Sequence, residues 1–431
     1  MLNWMAAAVT VRCSMPAPFV TGAGKKTIIC RRVAAGQSPC RPGLTPSADG
    51  DTQRRMPALY LHIPFCLRKC PYCDFFSRDD CAALLPGYPE LLRRHLAWAA
   101  DHGWRGPLDT IYFGGGTPSL LPPPAVGELL AAAARHFGLA DDAEVTLEAN
   151  PGTVTLERLS GYRAAGVNRL SLGLQSLAPG PLAVLGRRHD VAQGVQAVQA
   201  ARRAGFANLS LDLIFALPGQ TPAELEAELD RYLELAPAHL SCYGLTAEPG
   251  TPLHRQVQDG ALALPDGERY ADAFLLVHER LTAAGFEHYE IANFARPGRA
   301  CRHNRTYWER RESLGIGAGA HSFKEAGWGE RWAVPADLAG YAAALHGGGE
   351  PAERLEGFDR AGAMGETLYL GLRTRSGVDE AAFRARFGCG VAEAYPQGVR
   401  KLQPWLALTD GRWRLTVDGW LLYDRLIQEF L

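Results

Sequence analysis

From residue 57 onwards the chain alternates short apolar, β-branched runs with stretches of helical periodicity. Such runs predict buried strands, and apolar residues that recur every three or four positions predict amphipathic helices. Six runs joined by crossover helices predict an α/β protein whose parallel sheet is wound into a full or partial barrel. We expect strands over 58–63, 108–115, 144–150, 168–176, 208–219 and 239–245, and helices over roughly 86–102, 122–137, 155–165, 190–204 and 221–236.

One expected helix carries a complete start signal. In "TPAELEAELDRYLELA", Thr221 is the expected N-cap, Pro222 takes the first helical position and Glu224 the third. A threonine hydroxyl and a glutamate at this spacing satisfy each other's free backbone N–H groups, and proline fits where no N–H is needed. The pattern therefore predicts a helix that begins at Pro222.

Polar or chemically reactive residues stand at or near the C-terminal end of every expected strand. The active site of a βα barrel forms at that end, so these side chains are expected to converge on one cavity. In strand order they are the cysteines after residue 63, "GGGTP" (114–118), Glu148 with Asn150, Gln175, Asp212 and Tyr243.

The chain after about residue 295 departs from the barrel pattern. A polar and then glycine-rich stretch covers 301–323, and the glycines at 347–349 are typical of a loop or linker. The end of the chain predicts a small helical unit with a hairpin at 405–416 and a final helix over 418–431, in a winged-helix-like outline. We therefore expect an N-terminal extension (1–55), a barrel (56–300), a connecting region (301–360) and a C-terminal domain (361–431).

Composition narrows the function classes. Hydrophobic residues make up 47% of the chain, and the formal net charge of −1 gives no general attraction to nucleic acid or membrane surfaces. No uninterrupted apolar run of about 18 residues is present, and the ten cysteines are scattered except for one cluster. We expect a reducing, cytoplasmic location. Residues 1–55 carry eight basic and two acidic side chains, which suits a transit peptide or, as we favour, a disordered extension translated from a start upstream of Met56.

Three cysteines crowd into "HIPFCLRKCPYCDFF", with the spacing C-x3-C-x2-C. A structural zinc site usually takes four ligands in two separated pairs, so His62 or His95 would have to complete this set. Thiolates also hold iron–sulfur clusters. A [4Fe–4S] cluster held by Cys66, Cys70 and Cys73 alone leaves one iron open to a small ligand, which explains why the run stops at three.

The strings "YLHIPFC", "CLRKCPYC" and "GGGTP" together resemble the radical S-adenosylmethionine (SAM) superfamily, and within it the HemN/HemW-like branch. The resemblance covers residues 57 to 431. It implies a partial (β/α)6 TIM-like barrel with a small C-terminal helical, winged-helix-like domain. It also implies that the open iron chelates SAM and that reduction releases a 5′-deoxyadenosyl radical. The SAM contacts that it implies are Tyr60, Tyr72, Gly115, Gly116, Thr117, Glu148, Gln175, Arg187 and Asp212, with Thr246 as a weaker match.

Two features choose between the activities of this branch. HemN-type enzymes carry a further cysteine two residues after the third, where this chain has Phe75. The string "HNRTYW" resembles a haem-binding signature, which implies His303 as an axial iron ligand and Tyr307 and Trp308 as packing for the porphyrin face. The alternative is that His303 and Asn304 cap the following helix or stabilise a loop. "GIGAGAHSF" (315–323) lacks the context of a dinucleotide site, and in the family it closes the SAM cavity.

The resemblance therefore implies a haem chaperone that carries a [4Fe–4S] cluster, SAM and haem and delivers haem to apoproteins. Its expected partners are haem, haem-accepting apoproteins and an electron donor for the cluster, with a homodimer among the possible assemblies and no nucleic acid. The alternative function is oxygen-independent coproporphyrinogen III oxidation in porphyrin biosynthesis. A third hypothesis, a zinc-stabilised DNA-binding protein, requires bound zinc and no acid-labile sulfide.

Overall fold

A computed structural model describes residues 58–431, so the predictions for residues 1–55 and Met56 lie outside the described residues. The strands are β1 (Ala58–Ile63), β2 (Leu108–Gly115), β3 (Leu139–Ala149), β4 (Arg169–Gln175), β5 (Asn208–Phe215), β6 (His239–Gly244), β7 (Glu287–Glu290), β8 (Asn293–Ala295), β9 (Ser313–Ile316), β10 (His321–Lys324), β11 (Glu330–Ala333), β12 (Glu353–Gly357), β13 (Val378–Asp379), β14 (Leu406–Thr409) and β15 (Arg412–Leu415).

Helices follow or separate most of these strands. They are α1 (Tyr88–Asp101), α2 (Pro123–Phe137), α3 (Leu156–Ala164), α4 (Pro179–Val184), α5 (Val191–Arg203), α6 (Pro222–Glu234), α7 (Pro252–Gln258), α8 (Gly267–Ala283), α9 (Arg302–Trp308), α10 (Leu338–Gly347), α11 (Arg360–Gly371), α12 (Glu380–Phe387), α13 (Val391–Ala394), α14 (Pro396–Lys401), α15 (Val417–Leu421) and α16 (Tyr423–Leu426). None of the helices described combines the length and apolar composition that crossing a bilayer requires.

Strands β1 to β6 lie side by side in sequence order and are all parallel. β9 adds a parallel strand on the outer edge of β1, and β8 adds an antiparallel strand beside β6. The sheet continues to β12 on one side and β7 on the other without closing. The predicted α/β class and partial barrel are therefore confirmed.

The helix start at Pro222 is confirmed together with its capping box. The Thr221 hydroxyl accepts from the Glu224 N–H at 3.3 Å, and the Glu224 carboxylate accepts from the Thr221 N–H at 2.8 Å. Such a cap typically contributes about 1 kcal/mol of helix stability. The cap fixes where α6 starts against the sheet, directly after the loop that leaves β5.

Three boundaries differ clearly from the sequence prediction. The fifth strand, predicted over 208–219, ends at Phe215. β3 begins at Leu139 rather than at 144. The prediction missed its first residues because they are mostly exposed and so show no apolar pattern in the sequence. The predicted final helix is broken at Leu422 into α15 and α16. Each piece sends an aromatic donor to α11 and the residue after it: Trp420 Nε1 bonds the Leu372 carbonyl at 3.1 Å, and the Tyr423 hydroxyl bonds the Tyr369 carbonyl.

The C-terminal unit is joined to the sheet by backbone bonds and buried charge. The Ile291 N–H donates to the Arg373 carbonyl at 3.2 Å, and the Arg375 N–H donates to the Tyr289 carbonyl at 3.0 Å. Glu366 of α11 accepts from two buried arginines, Arg310 at 2.5 Å and Arg331 of β11, whose Nε lies at 2.8 Å. The hairpin of β14 and β15, predicted at 405–416, forms a small sheet with β13.

Candidate functional site

A cavity of about 270 Å³ opens where β1 to β6 end. Residues from the cysteine loop, which follows β1, form one wall, and residues at the strand ends form the floor and opposite wall. The sequence-predicted residues that line it are Cys66, Cys70, Tyr72, Cys73, Gly115, Gly116, Thr117, Glu148, Asn150, Gln175, Arg187, Asp212, Tyr243 and Thr246. The convergence expected from the barrel pattern is therefore what the structure shows, although the ligand roles of these residues stay predictions.

His62 connects the cysteine loop to the barrel interior. Its Nε2–H donates to the Phe76 carbonyl at 2.8 Å, and its Nδ1 accepts from the Tyr60 hydroxyl at 3.0 Å. Burial lowers the pKa of His62 to about 4, so the ring is neutral and can hold both roles. The loop is closed further by the Cys66 N–H, which donates to the Arg78 carbonyl at 2.9 Å.

Two glycines let β2 approach this loop closely. A Cβ on Gly115 would stand 2.8 Å from the His62 ring, and the φ of +115° disfavours any other residue. A Cβ on Gly116 would stand 2.6 Å from the Phe65 carbonyl oxygen and 3.0 Å from Cys66 Sγ. Glycine at both positions is therefore required for the cysteine loop to lie against the cavity.

The three cysteine thiols are half-buried and face the same cavity. Burial raises the pKa of Cys66, and it raises the pKa of Cys73 to about 11. Metal binding has to displace these protons, as it does in thiolate sites generally. The Thr117 hydroxyl donates to Cys66 Sγ at 3.6 Å, and Arg187 donates to Cys70 Sγ at 3.5 Å. The Thr117 hydrogen bond partly offsets the effect of burial on the pKa of Cys66.

The donor set fits an iron–sulfur cluster. Three soft sulfur atoms border a cavity with a glycine-walled side, which leaves room for a group larger than a single ion. No group of three or more His, Cys, Asp or Glu side chains among residues 58–431 is arranged to hold a metal ion. A [4Fe–4S] cluster binds each cysteine through a different iron atom, so its ligands stand further apart than those of one ion.

Two carboxylates lie on the floor of the cavity. Glu148 accepts from the Tyr112 hydroxyl at 2.7 Å and from the Gly115 N–H at 3.3 Å. Asp212 accepts from the Ser171 hydroxyl at 3.2 Å. Burial, together with the charge of Glu148, raises the pKa of Asp212 to about 6, and burial also raises the pKa of Glu148. Carboxylates in this state gain from a ligand that brings a positive charge or hydroxyl donors.

Arg187, on the opposite wall of the cavity, hydrogen-bonds three other lining residues. One guanidinium nitrogen donates to the Gly173 carbonyl at 2.7 Å and to the Asn150 side chain, and the other reaches Cys70. Gln175 ends β4 with a φ of +66°, an uncommon conformation for a residue other than glycine. This backbone turn places Gln175 on the cavity wall, with its side chain beside Gly173.

Tyr60 and His303 do not line the cavity. Tyr60 lies below it in the barrel interior, under Gly114. His303 is fully buried on α9, with Nδ1 2.8 Å from the Thr110 hydroxyl and Nε2 2.7 Å from the Tyr307 hydroxyl. Burial lowers the pKa of His303 to about 3. Both ring nitrogens are therefore occupied by hydrogen bonds in this arrangement.

The "HNRTYW" motif divides between two faces of α9. His303 and Tyr307 are four residues apart and both face the barrel interior, where His303 stacks on Tyr112 with ring centroids 5.0 Å apart. Arg305 and Trp308 face a second cavity, on the side of the C-terminal unit. The motif residues predicted to pack on a porphyrin thus do not share one surface.

The other histidine and glycine candidates have structural partners. Besides His62, His95 hydrogen-bonds Tyr341 at 3.2 Å and lies outside the cysteine cavity. The segment 315–323, expected to close the cavity, packs behind the cysteine loop instead. A Cβ on Gly317 would stand 2.6 Å from the His62 carbonyl oxygen, and one on Gly319 would stand 2.7 Å from the Phe76 ring.

Sequence reasoning did not select Ser171 and Gly173 as site residues, yet both line the cavity. The alternation along β4 carries the signal, because Arg169, Ser171, Gly173 and Gln175 are every second residue of one strand. Such alternation inside a buried strand identifies a polar face that points into the barrel.

Comparison with known proteins finds matches to both parts of the chain. Residues 60–231 match the family model for the radical SAM superfamily, and residues 358–422 match the model for the HemN C-terminal domain. A protein of Synechocystis named haem chaperone HemW is 40% identical over 74% of this chain and 79% of its own length. A protein of Mycobacterium tuberculosis with the same name is 38% identical over 86% and 94%.

A solved structure with a similar fold is that of coproporphyrinogen III oxidase (HemN) from Escherichia coli. It superposes with a TM-score of 0.75 over 88% of this chain and 90% of its own, at 23% sequence identity. At this identity the likeness concerns the fold. It extends across both the barrel and the C-terminal unit.

Proposed function

Because this chain belongs to the radical SAM superfamily, in the branch that contains HemN and the haem chaperones named HemW, we propose that it is a haem chaperone. Membership implies a [4Fe–4S] cluster and SAM. The proposal adds that the protein binds haem and delivers it to apoproteins. The observation that carries it is the 379-residue match to a protein named haem chaperone HemW, which spans 94% of that protein.

The chain's own residues would divide the work at the cysteine cavity. Cys66, Cys70 and Cys73 would hold the cluster, which when bound supplies an open iron for SAM and an electron. Glu148 and Asp212 would accept hydrogen bonds from the ammonium and ribose hydroxyls of SAM, where a charge-assisted hydrogen bond contributes about 1.5–3 kcal/mol. Tyr72, which lines the same cavity, would help to keep water from the cluster.

Coproporphyrinogen III oxidation is the alternative function, and the fold shared with HemN is compatible with it. Phe75 disfavours it, since HemN-type enzymes carry a cysteine at this position. The relatives with 32–41% identity that are named haem chaperone HemW also favour the chaperone. An electron donor for the cluster, haem-accepting apoproteins and a homodimer are the partners that we propose.

The experiment that tests the proposal uses the full chain, reconstituted anaerobically with iron and sulfide. We expect about four irons per chain in the cluster, an electron paramagnetic resonance signal that changes on addition of SAM, and transfer of bound haem to an apo-haemoprotein. We expect no conversion of coproporphyrinogen III. Turnover of that substrate, without stable haem binding, would overturn the chaperone assignment in favour of the enzyme.

A matched pair of cysteine variants controls this experiment. Cys73→Ser removes a proposed cluster ligand and should abolish cluster assembly. Cys81→Ser changes a cysteine that follows the loop but does not line the cavity, and should leave the iron and sulfide content unchanged. Equal cluster content in the two variants would contradict the ligand assignment.

A further inference from the structure

A second cavity, of about 800 Å³, lies between the barrel and the C-terminal unit. Its walls come from β7, α9, α11, α12 and β15, and it shares no lining residue with the cysteine cavity. Small-molecule and cofactor sites in proteins occupy about 300–1,000 Å³ and are common at domain boundaries. By size and position, this cavity is suited to a large organic ligand.

Charge in the cavity is mainly positive, with six arginines and three acidic residues along its walls. Four of the arginines already have carboxylate partners. These pairs are Arg305–Glu309 at 2.8 Å, Arg310–Glu366 at 2.5 Å, Arg412–Asp379 at 2.8 Å and Arg414–Asp410 at 3.7 Å.

Arg375 and Arg386 differ from these four. Neither guanidinium meets a carboxylate within residues 58–431. Both side chains line the same cavity, Arg375 from the turn after α11 and Arg386 from α12. Guanidinium groups bind carboxylates through paired hydrogen bonds, so two unpaired arginines suit a ligand with two carboxylates.

Aromatic side chains provide the remaining wall. Trp308, Phe383 and Phe387 all line the cavity, and at most 8% of each is exposed. The Trp308 indole N–H is buried and has no acceptor in the described part of the chain. Phe383 and Phe387 pack on each other with ring centroids 4.7 Å apart, so they form an apolar base under the cavity. An apolar base with cations beside it suits an apolar ligand that carries acidic substituents.

We propose that this cavity is the haem site, with Arg375 and Arg386 pairing the two propionates and the macrocycle lying against the apolar base of the cavity beside Trp308. The inference rests on the proposed haem-chaperone function and adds to it the location and the groups that recognise the ligand. In this proposal His303, on the opposite face of α9, has a structural role: its hydrogen bond with Thr110 holds the helix against β2.

The test is a spectrophotometric haem titration of the reconstituted full chain. The variant Arg375→Ala/Arg386→Ala is compared with Arg400→Ala/Arg425→Ala, which removes two exposed arginines outside the cavity. We expect haem affinity to fall about ten- to a hundredfold in the first and to stay unchanged in the second. Equal cluster content in both variants shows that each has folded.

Haem dimethyl ester, which lacks the propionate charges, makes the test specific. The ester should bind wild-type protein more weakly than haem does. Its affinity should not change in the Arg375→Ala/Arg386→Ala variant, because the charges that the ester lacks are the partners of the guanidinium groups that the variant lacks. Wild-type affinity for haem in that variant, or loss of haem only in His303→Ala, would overturn the cavity assignment. Failure of wild-type protein to bind any haem would overturn the proposed function itself.

Discussion

Asp212→Asn is the substitution whose effects follow most directly from the site geometry. The Asp212 carboxyl lies on the floor of the cysteine cavity, 3.2 Å from the Ser171 hydroxyl. Burial and the neighbouring charge of Glu148 raise its pKa from 3.8 to about 6. At neutral pH the protein therefore holds a charged group in a place that favours the neutral form.

The pKa difference sets the size and the pH range of the effect. A rise of about two pKa units corresponds to about 3 kcal/mol, at about 1.4 kcal/mol per unit. This is an upper value, since the carboxylate faces a cavity that water can enter. A carboxyl whose pKa is raised in the folded state stabilises the fold below its unfolded pKa of 3.8, and this contribution is lost as pH rises through about 6.

The Asp212→Asn variant should therefore match wild-type protein near pH 4 and exceed its unfolding free energy by up to about 3 kcal/mol near pH 8. Urea unfolding of the cluster-free protein across this pH range measures the difference. Asp272→Asn, on the exposed face of α8, is the control and should change neither value. The Asp212→Asn variant should also bind SAM about ten- to a hundredfold more weakly, because asparagine cannot supply the charge-assisted hydrogen bond.

A loss of stability near pH 8, or a gain of equal size at both pH values, would refute the reasoning. The first result would mean that the charged Asp212 is stabilised by its surroundings. The second would mean that the gain arises from packing rather than from titration of Asp212. Unchanged SAM affinity would separately remove Asp212 from the SAM contacts.

Two further substitutions test the cysteine wall and the joint between the two parts of the molecule. Gly116→Ala places a methyl group about 3.0 Å from Cys66 Sγ, so reconstituted protein should lose most of its iron and sulfide. Gly180→Ala, whose Cβ would meet no atom within 4 Å, should retain them, and equal cluster content would contradict the close approach. Glu366→Gln leaves two buried arginines without a full counter-charge and should lower the unfolding free energy by about 3–5 kcal/mol. Glu429→Gln breaks an exposed pair with a lysine and should cost under about 1 kcal/mol in the same denaturation assay, so similar losses in both variants would show that the buried network adds nothing special.

Local patterns made the barrel and much of its site predictable. Runs of apolar residues located the six parallel strands, and the side chains at their ends converge because parallel strands share one direction. The close spacing of Cys66, Cys70 and Cys73 needs no tertiary information, since one loop carries all three. Predictions were less accurate at the start of β3, where exposed residues show no apolar pattern. They were also less accurate at the end of the chain, where contacts with α11 and the residue after it accompany a break in the predicted helix.

His303 shows most clearly what the sequence leaves open. A histidine in "HNRTYW" is a plausible iron ligand as a sequence feature, yet the fold turns it into the barrel interior, between Thr110 and Tyr307. The same helix presents Trp308 to a different cavity. A seven-residue helix has two faces, and only its packing between two other units decides what each face meets.

The sequence alone determined where the six parallel strands lie, the cysteine loop and the glycines beside it, because these depend on residues close together in the chain. The tertiary structure decided which polar residues share a cavity and which are buried braces. It also created the arginine-lined cavity, whose Arg375 and Arg386 come from separate elements and whose Trp308 comes from a helix more than 60 residues earlier. Their proximity is a product of how the C-terminal unit docks on the barrel, and no local pattern encodes it.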